Sequence, residues 1–68
     1  MAGNVDVGVI YARHGAPHLR WVVVAATKID QIPYVYLQRF GDPSDVKLLA
    51  AAAVADEREY VRVSSMQP

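Results

Sequence analysis

The run Leu19 to Ile29, LRWVVVAATKI, constrains this chain more than any other stretch. It is rich in β-branched residues and carries a tryptophan, the composition of a strand rather than of a helix. From Trp21 to Ala26 every side chain is apolar, so no simple alternation gives one face to a core and the other to water. If Trp21, Val23 and Ala25 face inward, Val22, Val24 and Ala26 face outward. A fold built on this strand either covers both of its faces or exposes an apolar surface.

The flanking segments also read as strands. Val5 to Ala12, VDVGVIYA, places Val5, Val7, Val9 and Tyr11 on alternate positions, with Gly8 marking a bulge or bend. His-Gly-Ala-Pro at 14–17 breaks that strand. Asp30-Gln31 reads as a turn, and Pro33 opens a third strand, Tyr34 to Phe40, in which Val35 and Leu37 oppose Tyr34, Tyr36, Gln38 and Phe40. Glu59 to Val63 alternates as a closing strand. Residues 1–4 and 64–68 are small or polar and are expected to fray around a single domain spanning 1–68. No internal repeat is expected.

The segment GDPSDVKLLAAAAVADERE admits two foldings. In one, Asp42 caps a helix at about 43–57, with Pro43 at its first position and an apolar stripe of Val46, Leu49, Ala50, Ala53 and Val54. That gives an α+β fold, an antiparallel sheet with one covering helix. In the other, Val46 to Leu49 is a fourth strand followed by one helical turn at Ala51 to Asp56. Propensity alone favours the longer helix, because an alanine run is close to ideal helix material.

Taken in order, these features are a Gly near the start of strand one, WVVVAAT, PYVYLQRF, DP-x-x-x-K-LLA, a short AAVAD turn and a closing EYVRV. That order resembles the small SH3-like barrels common among bacterial and phage proteins, over roughly Val5 to Val63. The resemblance implies a mainly β fold, a barrel of four to five antiparallel strands with one short helical turn before the last strand. It therefore favours the strand reading at Val46 to Leu49. It also implies a binding module without enzymatic activity, with the loop after strand one in the place where SH3-type domains carry a long binding loop.

At 68 residues the chain lies where a single core is barely sufficient. It contains no cysteine, so neither disulfides nor thiolate metal sites can supplement that core. Its hydrophobic fraction of 53% argues against disorder. Small scaffolds without such staples often gain stability by associating, and a homo-oligomer is expected on that ground. Seven basic side chains balance seven acidic ones, which counts against a dedicated nucleic-acid binder. No apolar run approaches the roughly 18 residues of a membrane span, and MAGNVDVG lacks the features of a signal peptide, so cytoplasmic residence is expected.

Three groups of residues are candidate sites. His14 and His18 form an HxxxH pair within RHGAPHLRW, but Gly15 and Pro17 oppose the helix that would align both rings on a metal. A solvated turn or a recognition loop is expected there, with no metal and no cofactor. Arg13, His14, His18, Arg20, Lys28 and Arg39 all fall on the first three strands or their connections. Residues 1–41 hold four bases and two acids, against three bases and five acids afterwards, a basic bias able to meet phosphates. Tyr34 and Tyr36 could stack on unpaired bases. The third group is the apolar excess itself: Val22, Val24, Tyr34 and Tyr36 are expected to form an exposed patch, and such patches mark interaction surfaces.

For catalysis the sequence offers no cysteine nucleophile, no GxSxG elbow and no phosphate-cradling glycine loop. The expectation is a non-enzymatic interaction module that self-associates and binds a protein partner. The alternative is a nucleic-acid-binding module that uses the basic and aromatic residues of the first three strands.

Overall fold

Three tight turns set the order of the strands. At Asp30-Gln31 both residues have positive φ, 51° and 68°, as in a two-residue type I′ turn whose twist matches that of the strands it joins. Ile29 and Ile32 flank it as direct cross-strand partners. His14-Gly15 and Phe40-Gly41 make the other two turns. Each holds its glycine in the left-handed region, at φ 85° and 84°, where a Cβ would be strained.

The computed structural model describes residues 5–65. These turns link β1 (Val9–Arg13), β2 (Ala16–Ile29), β3 (Ile32–Arg39) and β4 (Asp42–Ala50). A short helix, α1 (Ala51–Ala55), then leads to β5 (Tyr60–Ser65). All five strands join one antiparallel sheet in the order β4-β3-β2-β1-β5. Among the described residues no helix is long and apolar enough to cross a membrane.

The sheet curls around one core, giving a small, mainly β, barrel-like fold. Val9 and Tyr11 of β1, Trp21 and Val23 of β2, Val35 and Leu37 of β3, and Tyr60 of β5 meet there, with Val54 of α1 inserted among them. Val23, Val35, Leu37 and Val54 are fully buried, and each contributes about 1.5–3 kcal/mol by leaving water.

A bulge explains why β2 defies simple alternation. Val23 pairs with Leu37 and Ala25 pairs with Tyr36, so Val24 is an extra residue on β2. The extra residue reverses the alternation beyond it. Trp21 and Val23 face the core as expected. Ala25 does not: it lies beside exposed Tyr36, and Ala26 is the residue opposite buried Val35.

Other boundaries also differ from expectation. The first strand begins at Val9, not Val5, because Gly8 has φ 95° and the Val9 N–H donates to the Asp6 carbonyl at 3.2 Å, turning the chain. Val5 nonetheless packs against the core. The break expected at 14–17 is confined to His14-Gly15, and Ala16 and Pro17 already belong to β2. No helix spans 43–57: Asp42–Ala50 is β4, hydrogen-bonded to β3, and only Ala51–Ala55 is helical. The core needs one buried side chain from the alanine run, Val54, and α1 supplies it within a single turn. Of the ends expected to fray, Ser64 and Ser65 continue the β5 ladder, while 1–4 and 66–68 lie outside the described residues.

Candidate interaction surface

The reversed alternation builds an uncharged outer face on β2, β3 and β4. Cross-strand partners share a face, and three rows follow from the register: Val22–Gln38–Val46, Ala25–Tyr36–Leu48 and Thr27–Tyr34–Ala50. None of the nine is a Lys, Arg, His, Asp or Glu. Tyr36, Val46 and Leu48 are the exposed large side chains, at 38%, 46% and 40%.

The expected patch of Val22, Val24, Tyr34 and Tyr36 is therefore displaced toward β4. Tyr36 is exposed and Tyr34 half-buried. Val24 is exposed at the bulge, whereas Val22 is buried at 6%. Sequence reasoning missed Val46 and Leu48. The signal was the alternation of Val46, Lys47 and Leu48, which is informative only once that segment is read as a strand.

Val22 lies in a cleft of about 520 Å³ beside this face, walled by Val7, Gly8, Val24, Phe40 and Pro43. Two hydrogen bonds hold its rim. The Phe40 N–H donates to the Arg20 carbonyl at 2.9 Å, tying the β3–β4 turn to β2. Gln38 Nε2 donates to the Pro43 carbonyl at 3.1 Å. Val7 and Phe40 leave large apolar side chains exposed at its mouth.

RHGAPHLRW is mostly strand, with one turn at its centre. The His14 N–H donates to the Glu59 carbonyl at 2.8 Å, docking that turn on the connection between α1 and β5. Arg13 reaches the same connection. Its Nη2 lies 3.7 Å from Glu59 Oε1, and its guanidinium stands 5.4 Å from the centre of the Tyr60 ring. His14 and His18 are exposed. Among the described residues no group of three or more His, Cys, Asp or Glu could hold a metal ion.

The two turns that carry left-handed glycines are built alike, an internal repeat the sequence reading did not register. Arg13-His14-Gly15-Ala16-Pro17 and Arg39-Phe40-Gly41-Asp42-Pro43 share the pattern R-x-G-x-P. Each arginine pairs with the residue three positions on, beside a shift in register. Each following residue donates its N–H to the carbonyl of a neighbouring segment. Each arginine also meets a carboxylate, Arg39 Nη1 lying 3.4 Å from Asp45 Oδ2. Both pairs are substantially exposed, the kind worth about 0–1 kcal/mol.

The six basic candidates are not gathered into one face. Arg13 and Arg39 are paired with acids. Arg20 and Lys28 are separated by eight positions on β2, with the Val24 bulge reversing the alternation between them. His14 and His18 flank the opposite end of that strand from Lys28. The cation with the most defined setting is one that sequence reasoning passed over: the Lys47 ammonium lies over the Trp21 ring. At the connection into β5, Asp56 accepts from the backbone N–H, Nε and Nη2 of Arg58. Those bonds hold its carboxyl below the usual carboxylate range.

Comparison with protein-family models, with curated proteins and with solved structures finds no match to this chain.

Proposed function

We propose that this chain is a non-enzymatic interaction module that self-associates through the β4 side of its uncharged outer face and takes a protein partner on the adjoining cleft. The observation that carries the reading is the nine-position outer face without a charge, on the sheet of a chain of only 68 residues. An uncharged face on which Tyr36, Val46 and Leu48 are exposed is the kind of surface that favours association, and a core this small gains stability from it. The cleft supports the second half, since apolar walls with a few fixed polar groups suit an inserted side chain. The helical turn ahead of the last strand is the one expected beside the SH3-like resemblance, and the reading takes from that resemblance the expectation of a binding module.

Sedimentation velocity at low and then moderate salt tests this. The chain is expected to run larger than 7.5 kDa at both, because apolar association responds little to ionic strength. Val46→Lys, at an exposed position, is expected to give a folded monomer. A wild-type monomer that instead binds short single-stranded nucleic acid, with affinity falling steeply with salt, would replace this reading with the nucleic-acid one.

A further inference from the structure

Among the described residues the sheet has two free edges, β4 and β5. An edge strand presents unpaired N–H and C=O groups, a template for a further strand. Both edges carry exposed apolar side chains, Val46 and Leu48 on β4, Val61 and Val63 on β5. Their charges differ. β5 carries only Arg62, so pairing it with its own copy brings no opposite charge to bear. β4 carries Asp42 at its start and Asp45 and Lys47 on either side of Val46; within the chain Asp45 also meets Arg39 in an exposed pair, and Lys47 lies over Trp21.

Around a twofold axis through Val46, antiparallel pairing of β4 with a second copy places Asp45 opposite the second copy's Lys47, and Lys47 opposite its Asp45. Over Ser44–Leu48 the segment is self-complementary in charge about Val46, the central residue of Asp42–Ala50, while Asp42 falls opposite Ala50 beyond the register shift at residues 43–45. Opposite charges directly across a strand pair stabilise it, and like charges destabilise it. Val46 then meets Val46 of the second copy on the outer face, and Leu48 meets Ser44. Pro43, which has no N–H, limits the ladder to Ser44 through Leu48. Joining β4 to β5 of a second copy satisfies only Asp45, against Arg62, and makes a head-to-tail contact that closes only as a ring.

We infer that this chain forms a twofold dimer by pairing β4 with β4 of a second copy in a register centred on Val46. The inference rests on the proposed self-association and fixes its geometry. It leaves the cleft and the β2–β3 part of the outer face free for a partner.

The test uses two full-length charge variants, Asp45→Lys and Lys47→Glu, alone and mixed in equal amounts, with mass measured by light scattering on a sizing column. Each variant alone sets like charges against each other twice and is expected to run as a monomer. Mixed, they restore both pairs, and the mass is expected to double. Tyr36→Lys, one strand in from the edge, is expected to remain dimeric. Should a single variant fail to fold by far-UV circular dichroism, the double exchange Asp45→Lys/Lys47→Asp decides, because it is again self-complementary and is expected to dimerise. A wild-type monomer overturns the self-association itself. A wild-type oligomer overturns only the β4 register if Lys47→Glu leaves it intact or if the mixture stays monomeric. Loss of the oligomer on Arg62→Glu would point to the β4–β5 contact.

Discussion

The ammonium nitrogen of Lys47 stands 4.1 Å from the centre of the Trp21 ring. Lys47 lies opposite Leu37 on the core side of β4, so its stem closes the edge of the core where that strand ends the sheet. A cation over an indole contributes about 0.5–2 kcal/mol. Lys47→Gln, which keeps most of the stem and loses the charge, is expected to lower stability by about 0.5–1 kcal/mol. Urea unfolding followed by the fluorescence of Trp21, the sole tryptophan, measures this at a fixed low concentration. An unchanged midpoint would remove the contact from any account of the edge.

Among the described residues Leu37 is the largest of the fully buried side chains. Leu37→Ala leaves a cavity and is expected to cost about 2–5 kcal/mol. A chain of 68 residues has only about 3–10 kcal/mol to lose. The variant is expected to unfold at a much lower denaturant concentration than wild type by circular dichroism, while Val46→Ala stays close to wild type.

The turns predict opposite responses to glycine. Gln31 adopts φ 68° with a side chain, so Gln31→Gly gives the favoured Asp-Gly pair of a type I′ turn and is expected to raise stability by about 1 kcal/mol. Gly15 and Gly41 sit at nearly the same positive φ with open space where a Cβ would go. Gly15→Ala and Gly41→Ala are each expected to cost about 1–2 kcal/mol from backbone strain alone. Closely matched losses in chemical denaturation would show that the two turns are energetically the same device; a large disparity would not.

Burial pushes the Tyr11 phenol above its ordinary value, with the Arg62 guanidinium partly offsetting this and Asp6 adding to it. A pKa raised by folding gives stability that is complete below the unfolded value of about 10 and is lost as pH rises through the folded one. The denaturation midpoint is expected to fall as pH rises past about 10, and Tyr11→Phe is expected to flatten that fall while leaving neutral-pH stability nearly unchanged.

Much of the fold was legible because each piece had a local cause. Gly and Pro punctuated the strands, β-branched runs filled them, and Val35 and Leu37 alternated against Tyr34 and Tyr36 as the structure shows. The helix at 43–57 failed because propensity counts only neighbours along the chain, whereas β3 needed a partner for its other edge. The outer face was half legible. Val24 carries nothing in its own identity that marks it as a bulge; only the count of residues between Val23–Leu37 and Ala25–Tyr36 does. Without that count Ala26 and Lys28, not Ala25 and Thr27, look outward, while Val22 is covered by the cleft that Val7, Phe40 and Pro43 wall. The matching R-x-G-x-P turns were visible in the sequence, and read separately they passed as unrelated loops.

The β1–β5 ladder has a mechanical consequence. Val9, where β1 begins, pairs with Ser65, where β5 ends, and Arg13 pairs with Tyr60 at the far end. A force drawing the two ends of the chain apart therefore meets this ladder at one end and loads a single rung at a time. The strands part like a zipper, instead of sharing the load across all their rungs as sheared strands do. Tethered by its termini, this protein gives way at low force, and β5 peels off first.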